Sequence, residues 1–401
     1  MSKHWLDGIK ALWSYRRTIK YLLKRRGIKA VYNFLFIKSF VLAGGEGTAN
    51  WLGRFAGPVF KLFPPLKASL LSYPFAIEIE VTNQCNKRCI ICEHTYWNEE
   101  SRNLSFEDFQ KIIKQFPRLK WANLTGEGDA FLNKDYLKMV QYLKSKNISV
   151  FLVDSFDLID GNIAERLIRI GVDGIWISMD GATRETYEKI KVGCNFEKSL
   201  SNIKKLIELK KKMNSPLPEL CFRYVITTRN LHEMPRFIEL VHSLGGRDSL
   251  GDGSKIEFAG LLAFEGIEHL FVSRVPEEIQ QATLRKAKEL DVEISFAHPA
   301  HRRELPPMKH CAAWAEPYIM MGGYVLPCCA VLMSNKRPFL RRYSFGNILK
   351  EPFKEIWYSK RYKEFRKAVC RNKGKVPILC KGCRAYNTLD RERKYGVTES
   401  I

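Results

Sequence analysis

The sequence predicts an α/β fold built from parallel strands, and two observations lead to this prediction. From Tyr73 to about Ala300, short segments rich in β-branched and aromatic residues alternate with longer amphipathic segments. Strand-like segments separated by helices of this length are typical of repeated βαβ units, which form either a barrel or a doubly wound sheet. The last hundred residues lose this alternation, are rich in turns and contain cysteines, and therefore indicate a separate module.

The predicted strands are short apolar runs bounded by turn residues. In chain order, they are FAIEIEVT, WANLTG, ISVFLVDS, GIWISMD, LCFRYVITT and KIEFAGL. The helices predicted between them place apolar residues three and four positions apart. The clearest are FEDFQKIIKQF, DYLKMVQYLKSK, AERLIRIG, FEKSLSNIKKLIELKKK and MPRFIELVHSLG. Together these segments predict a core domain over residues 71–300.

Residues 1–70 predict a basic, amphipathic helical extension. They contain 13 Lys or Arg and two acidic residues, a local net charge of +11 out of +23 for the chain. Tryptophans and aliphatic residues interleaved with basic residues suit a helix lying in the headgroup layer of an anionic membrane. The longest apolar run starts at Ala30 and is too short to span a bilayer. The alternative is that these apolar residues pack on the core.

Three cysteines in the stretch TNQCNKRCIICEH follow the first predicted strand, namely Cys85, Cys89 and Cys92. Their spacing allows one loop to present three thiolates to one inorganic cluster, with an iron left open to a small molecule. A structural zinc site normally takes four ligands, so three is one short. A closed site completed by a distant cysteine or by His94 is the alternative that the spacing leaves open.

The pattern CxxxCxxC directly after the first strand of a β/α series resembles the radical S-adenosylmethionine (SAM) superfamily. The resemblance implies a partial (β/α)6 TIM-like barrel with its site at the C-terminal ends of the strands. It also implies that Cys85, Cys89 and Cys92 hold a 4Fe–4S cluster that binds SAM. The implied reaction is the reductive cleavage of SAM to a 5′-deoxyadenosyl radical, which abstracts hydrogen from an unactivated carbon.

In that family a glycine-rich turn after the second strand holds the methionine end of SAM, and LTGEGDAFLN occupies this place here. The resemblance assigns the backbone role to Gly126 and Gly128. It leaves Glu127 and Asp129 as alternative carboxylates, because Asp stands where Glu is usual and Ala130 replaces a proline.

The resemblance also implies contacts with the rest of SAM. Ser178 and Asp180 in ISMDGATRETY match the residues that lie near the ribose. Ser155 lies in the segment that replaces the family's TNG motif, and Ile91 takes the place of the residue that contacts adenine. Arg223 is a candidate partner of the SAM carboxylate, and a purely structural arginine is an equal alternative.

Residues 301–401 resemble the SPASM domain that follows many radical SAM cores. The resemblance rests on the order of the cysteines, of Gly323, and of the GN and EIW motifs. It implies one auxiliary 4Fe–4S cluster, with these ligands: Cys311, Cys328, Cys380 and Cys383. Cys329 is an alternative to Cys328, and a zinc ribbon is the alternative for the module as a whole.

The leading hypothesis is an oxygen-sensitive radical SAM oxidoreductase that forms C–C bonds in a membrane lipid, as in archaeal tetraether or bridged lipids. The alternative is a peptide-maturing SPASM enzyme, and an RNA-linked enzyme comes third because no RNA module is visible. Nucleic acid is therefore not an expected partner. A ferredoxin or flavodoxin is the expected reductant. The chain lacks a secretory signal pattern, so we expect a cytoplasmic protein, peripheral at the inner face of the membrane.

Overall fold

A computed structural model describes residues 13, 15–40, 73–245, 255–261, 264–297, 316–329, 331, 336–369, 373–383 and 388–399. The strands within these residues are β1 (Ala76–Ile79), β2 (Trp121–Asn123), β3 (Ser149–Asp154), β4 (Gly174–Ser178), β5 (Glu219–Ile226), β6 (Ile256–Gly260), β7 (Ile294–Ala297), β8 (Tyr318–Met320), β9 (Tyr324–Leu326), β10 (Val376–Pro377) and β11 (Val397–Thr398). The helices are α1 (Arg16–Arg26), α2 (Ile28–Phe40), α3 (Phe106–Lys114), α4 (Tyr136–Ser145), α5 (Gly161–Ile170), α6 (Arg184–Ile190), α7 (Phe196–Lys212), α8 (Met234–Ser243), α9 (Glu277–Glu289), α10 (Arg337–Tyr343), α11 (Phe353–Tyr358), α12 (Lys360–Val369) and α13 (Thr388–Tyr395).

The order of the strands distinguishes a barrel from a doubly wound sheet. Nine strands of the described residues form one sheet in the order β7-β6-β5-β4-β3-β2-β1-β8-β9. The first seven strands are neighbours in chain order and all pair in parallel. A doubly wound sheet would reverse its strand order at a switch point, and this sheet does not. The predicted α/β fold with a partial TIM-like barrel is therefore confirmed.

The seventh parallel strand was not predicted, nor was the helix before it. The sequence pattern predicts KIEFAGL as the last strand of the barrel. In the structure, β7 extends the barrel by one more strand, which pairs with β6 through Ile256 and Ile294. Helix α9 is difficult to recognise because its buried residues include Thr283 and Ala287, which give a weak apolar stripe. Strand β7 has only four residues, too few for a clear alternation.

Side chains alternate between the two faces of the barrel sheet, as strand geometry requires. On β5, Phe222 and Tyr224 are fully buried, and both rings contact Phe237 of α8 on the outer, helix-covered face. Their neighbours Cys221 and Arg223 are partly exposed and face the inside of the barrel, which we call the lumen.

Helices α1 and α2 pack at the end of the barrel from which its strands start. Leu22 and Phe34 form a small buried cluster with Leu217, which precedes β5. The side-chain amide of Asn33 donates to the carbonyl of Asn147, just before β3, at 2.7 Å. Part of the apolar stripe of these helices therefore serves as core.

The rest of the predicted N-terminal extension, residues 1–12, 14 and 41–72, lies outside the described residues. Over the part of the chain that the structure covers, no helix combines the length and the apolar character that crossing a bilayer requires.

The C-terminal module continues the sheet of the barrel, because β8 pairs in parallel with β1 and β9 returns antiparallel to β8. The GN motif docks on this hairpin. The Asn347 side-chain amide donates to the carbonyl of Gly322 at 2.8 Å. Gly346 has a φ of +153°, and a Cβ there would lie 2.9 Å from Ile356 of the EIW motif. This close approach explains why a glycine occupies the position.

A buried ion pair joins the module to the barrel. Arg337, the first residue of α10, donates to both carboxylate oxygens of Glu80, at 3.0 and 2.9 Å. Its Nε donates to Glu99 at 3.0 Å, and Glu80 also accepts the amide of Met321 at 2.6 Å. Arg337 and Glu80 are 2 % and 1 % exposed. One guanidinium therefore fixes the end of β1, the loop after the cysteines and the start of α10.

We expect Arg337→Met to destabilise the protein by about 3–5 kcal/mol, because the Glu80 carboxylate would stay buried without its counter-charge. The measurement is the midpoint of anaerobic chemical unfolding. The control is Arg342→Met on the same helix, whose side chain is exposed and whose loss should change stability by less than about 0.5 kcal/mol. Equal midpoints for the two variants would contradict the role of the buried pair.

Candidate active site

The three cysteines of CxxxCxxC lie in a loop that directly follows β1, and the thiols of Cys85, Cys89 and Cys92 are all partly exposed. We call residues 83–92 the cysteine loop. Two of its backbone amides donate to the carbonyls of Ile190 and Val192, at 2.9 and 2.8 Å. The loop is therefore held between the end of β1 and the end of α6.

The chemistry of this donor set fits an iron–sulfur cluster. Burial raises the pKa of all three thiols, and that of Cys89 to about 11 although Lys191 lowers it. A thiolate in this setting needs a nearby positive centre, which the irons of a cluster provide. His94, the alternative fourth ligand, is bonded through Nε2 to the carbonyl of Asn83 at 3.0 Å. Within the described residues, no group of three or more His, Cys, Asp or Glu is arranged to hold a single metal ion.

Lys87, between the first two cysteines, anchors the loop to the barrel. Its ammonium forms ion pairs with Asp129 and, at 2.8 Å, with Asp157. Asn86 donates to the same Asp157 at 3.1 Å. Burial lowers the pKa of Lys87, but the surrounding carboxylates, chiefly Asp129, raise it by more than burial lowers it. The net effect is a raised pKa, so the ammonium keeps its charge. The Asp129 carboxylate therefore holds the cysteine loop in place through its ion pair with Lys87.

Of the two candidate carboxylates in the glycine-rich turn, Glu127 is the one beside the cysteines. Its Oε2 lies 4.0 Å from the Sγ of Cys92. Burial and the neighbouring Glu80 raise the pKa of Glu127 to about 7. Burial and Glu127 raise the pKa of Glu93, the residue after Cys92, to about 9. Carboxyl groups crowded in this way favour a bound cation next to them.

The two predicted glycines allow the turn to approach the cysteine loop closely. A Cβ at Gly126 would lie 2.6 Å from the side chain of Glu80. At Gly128, a Cβ would lie 2.5 and 2.6 Å from the carbonyl oxygens of Thr82 and Gln84. Any larger residue at Gly128 would therefore displace the backbone that leads into the cysteines.

Ser155, in the segment after β3, faces the network around Lys87. Its hydroxyl donates to Asp157 at 2.8 Å. The next residue, Phe156, is fully buried with a φ of +65°, and its amide donates to Asp154 at 2.6 Å. A bulky residue with positive φ is strained, and such strain is often found near functional sites.

Ser178 and Asp180 lie at the end of β4, and Lys191 contacts both. The ammonium of Lys191 donates to the Ser178 hydroxyl at 2.8 Å and lies 3.1 Å from the Asp180 carboxylate. The other oxygen of Asp180 accepts the amide of Val225 at 2.7 Å, and the side chain is fully buried. Lys191 was not predicted as a site residue, although a lysine in the run KIKVG after a helix was a visible signal.

Ile91 and Arg223 lie in different surroundings. Ile91 packs against an apolar cluster that includes Leu261 and Phe264, which gives it the apolar wall expected of a residue that contacts a base. The guanidinium of Arg223 lies 3.3 Å from Glu257 and 5.1 Å from the ring of Trp176. Arg223 is thus a lumen residue paired with a glutamate of the neighbouring strand.

Three of the four predicted auxiliary ligands, Cys328, Cys380 and Cys383, lie within the described residues. Cys380 and Cys383 follow β10, and the amide of Cys383 donates to the carbonyl of Cys380 at 3.1 Å. Cys328 is partly buried and packs against the main core, whereas Cys329 is exposed. The two alternative ligands therefore have different surroundings. Cys311 lies outside the described residues.

The fold is shared with solved structures. SuiB of Streptococcus suis bound to S-adenosylmethionine has a TM-score of 0.61 and 15 % identity, covering 95 % of this chain and 91 % of that chain. The structure titled native anSMEcpe with bound AdoMet has a TM-score of 0.52 and 17 % identity, covering 78 % of this chain and 87 % of that chain. At these identities the likeness establishes the fold.

Three curated relatives share 23–24 % sequence identity with this chain. A tungsten-containing aldehyde ferredoxin oxidoreductase cofactor-modifying protein of Pyrococcus furiosus is 23 % identical over 72 % of this chain and 82 % of its own length. A PqqA peptide cyclase of Granulibacter bethesdensis is 24 % identical over 70 % and 75 %. An AdoMet-dependent heme synthase of Methanosarcina barkeri is 24 % identical over 79 % and 93 %.

We expect Gly128→Ala to lower the iron content of the first cluster and SAM cleavage at least tenfold, because the new methyl group would push on the backbone before Cys85. Iron and sulfide analysis after anaerobic reconstitution measures the first effect. The control is Gly161→Ala at the start of α5, where a Cβ would lie 3.4 Å from Lys205, an ordinary contact. Normal iron content in Gly128→Ala would show that the close packing is dispensable.

Two family models match the chain and together cover more than half of it. The radical SAM superfamily model matches residues 79–241, from the end of β1 into α8, including the three cysteines and the glycine-rich turn. The SPASM iron–sulfur cluster-binding domain matches residues 311–384, which include the four cysteines predicted as auxiliary ligands. These domains imply SAM and two iron–sulfur clusters as cofactors. The chain belongs to the radical SAM superfamily and carries a C-terminal SPASM domain.

Proposed function

We propose that this radical SAM enzyme modifies a peptide. The observation that carries the proposal is the charged lining of the lumen, where a substrate would approach the cysteine loop. Glu78, Arg223 and Glu257 face this space together with Trp176. A hydrocarbon chain would remove water from the Arg223–Glu257 pair and would give Glu78 no polar partner, at considerable cost. A peptide provides amides and charged side chains that pair with them.

Similar proteins support the peptide over the membrane lipid that led our hypotheses. The PqqA peptide cyclase is named for a peptide substrate. SuiB has also been solved with its precursor peptide SuiA, at a TM-score of 0.58, and anSMEcpe with a Cp18Cys peptide, at 0.51. None of the relatives named above is named for a lipid. Ring closure through a new C–C bond is the outcome that we propose, and the cyclase among the relatives supports it.

In the proposed site, Cys85, Cys89 and Cys92 hold the SAM-binding 4Fe–4S cluster, and Lys87 fixes their loop. When bound, the cluster and SAM supply one-electron cleavage of SAM to a 5′-deoxyadenosyl radical, which abstracts hydrogen from the substrate. Glu127 beside Cys92 is the carboxylate that we assign to the cationic amino group of SAM. Asp129 has the positioning role described above, through its ion pair with Lys87.

We propose the remaining SAM contacts from the positions of the residues relative to the cysteine loop and the strand ends. Gly126 and Gly128 bring the turn next to the cysteine loop. Ser178 lies at the strand end where the ribose is expected, with Lys191 and Asp180 behind it. Ile91 supplies the apolar wall for adenine.

For two of the residues predicted to contact SAM, the polar group already has a partner within the protein. Ser155 is bonded to Asp157, and Arg223 to Glu257. We therefore assign Ser155 to the support of the cysteine loop and Arg223 to the lumen, where a substrate would lie.

We propose that the auxiliary 4Fe–4S cluster is held by four of the C-terminal cysteines, namely Cys311, Cys328, Cys380 and Cys383. A fully ligated cluster has no open iron, so its proposed task is to take up or deliver one electron near the substrate. The proposed reductant is a ferredoxin or flavodoxin. Such proteins are acidic, and the net charge of +23 favours the encounter.

We expect Cys89→Ala to abolish the release of 5′-deoxyadenosine from SAM under dithionite, because the SAM-binding cluster loses a ligand. The matched control is Cys221→Ala, a lumen cysteine outside both ligand sets, which should retain release in the absence of substrate. The measurement is anaerobic chromatography of 5′-deoxyadenosine with iron analysis of the same samples. Full release by Cys89→Ala would contradict the assignment of the cluster.

A second proposal concerns the surface of α1 and α2. Large apolar side chains are exposed there: Trp13 by 64 %, Leu23 by 52 %, Ile28 by 72 % and Tyr32 by 59 %. They lie among basic residues, and the sequence has no Asp or Glu between residues 8 and 45. These helices pack at the end of the barrel opposite the cysteine loop. We propose that this surface docks on an anionic membrane while the lumen acts on its peptide.

Co-sedimentation with phosphatidylglycerol liposomes tests the docking surface, with phosphatidylcholine liposomes as the uncharged comparison. We expect binding to the anionic liposomes alone, weakened at least tenfold in the double variant Leu23→Ser, Ile28→Ser. The control is Leu284→Ser, an exposed leucine on α9, which should bind as the wild type does. Equal sedimentation with both lipids would contradict the proposal.

A further inference from the structure

Glu78 and Glu316 form a pair of carboxyl groups where β1 meets the C-terminal module. Glu78 lies on β1, two residues before Glu80 and on the same face, so it is roughly 7 Å deeper in the barrel. Glu316 precedes β8, the strand that pairs with β1. Burial raises the pKa of Glu78 to about 7, and burial together with Glu78 raises the pKa of Glu316 well above its usual range.

Neither carboxyl group forms an ion pair with the part of the chain that the structure describes. Arg223 lowers the pKa of Glu78, but its guanidinium lies beside Glu257, at 3.3 Å. The contrast with Glu80 is direct, because that carboxylate is bonded twice to Arg337. The lumen therefore contains two carboxyl groups that have no counter-charge among the described residues.

Two uncharged groups beside the pair also have unused hydrogen-bonding capacity. Asn123, 9 % exposed, donates to Glu78 at 3.3 Å, while its Oδ1 has no partner among the described residues. The hydroxyl of Tyr318, fully buried on β8 opposite Glu78, likewise has none. Because Tyr318 and Glu78 are directly paired in the strand register, their side chains lie side by side on the same face of the sheet. Buried polar atoms without partners are rare and indicate a missing ligand or water.

We propose that Glu78, Glu316, Asn123 and Tyr318, together the carboxyl subsite, bind a cationic nitrogen group of the substrate. The chemical class is a primary ammonium or a guanidinium, such as the side chain of Lys or Arg in a peptide, and this choice rests on the peptide proposal above.

A bound cation would supply a counter-charge and hydrogen-bond donors, the two features that the subsite lacks among the described residues. Its positive charge offsets the repulsion between the two carboxyl groups, and its N–H groups donate to them and to Oδ1 of Asn123. A proton shared between Glu78 and Glu316 would relieve the repulsion alone and leave Asn123 and Tyr318 without partners. The long, unbranched side chains of Lys and Arg can also reach a subsite deeper than the cysteine loop while the peptide backbone stays at the strand ends.

The test uses the full chain with both clusters reconstituted, without reductant and with SAM at saturation. Saturation with SAM ensures that the amino group of SAM is not the ligand that is measured. The probes are n-butylammonium and its neutral isostere n-butanol, and binding is followed by calorimetry or ligand-observed NMR. We expect the wild type to bind n-butylammonium and not n-butanol.

Glu78→Gln should weaken the binding of n-butylammonium at least tenfold. Glu316→Gln, which lies outside the strands, should do the same and serves as the second variant if Glu78→Gln loads its clusters poorly. The control Glu165→Gln removes an exposed carboxylate on α5 that pairs with Arg169, and it should bind as the wild type does. Absence of cation binding, or equal binding by all variants, would overturn the subsite.

A second arm separates this inference from the peptide proposal. It compares two capped peptides that differ only by Lys or norleucine at one position. Binding of n-butylammonium through Glu78 while neither peptide binds would support the subsite and count against a peptide substrate. Equal binding of both peptides would support a peptide substrate and overturn the subsite. Tighter binding of the Lys peptide, lost in Glu78→Gln, would support both.

Discussion

The ion pair between Arg337 and Glu80 is the interaction on which the rest of the site depends. Glu80 directly follows β1, and the cysteine loop starts a few residues later, so its position sets where the three thiols lie. Gly126 packs on the same carboxylate side chain, and Glu99 beyond the loop shares the guanidinium. A charge from the SPASM domain thereby organises the SAM-binding end of the barrel, although the two are far apart in the sequence.

The sequence predicted those parts of the site that depend on local pattern. The strands and most helices of the barrel follow from apolar periodicity, and the cysteines and glycines of the site from their spacing. The buried charges Lys87, Lys191 and Arg337 did not emerge, because a lysine or arginine in a sequence is normally interpreted as a surface residue. Their partners lie up to 257 positions away, and only the folded chain brings them together.

The comparisons support the peptide alternative better than the lipid hypothesis that led the sequence analysis. The lipid hypothesis relied on the apolar and basic N-terminal residues, whose described part packs at the far end of the barrel from the cysteines. The charged residues that line the lumen alternate with apolar ones on β1, β5 and β6, as solvent-facing residues also do. A pattern of period two shows that a strand has a polar face, but not whether that face meets bulk water or an enclosed substrate.

The parallel pairing of β8 with β1 has a mechanical consequence. The SPASM domain is joined to the barrel by a shared ladder of backbone hydrogen bonds, and a ladder opens only when its bonds break. Hinging these two parts away from each other would therefore require this ladder to break. At the other margin of the sheet, β7 ends the row of strands among the described residues, and no such ladder ties that margin to the SPASM domain there.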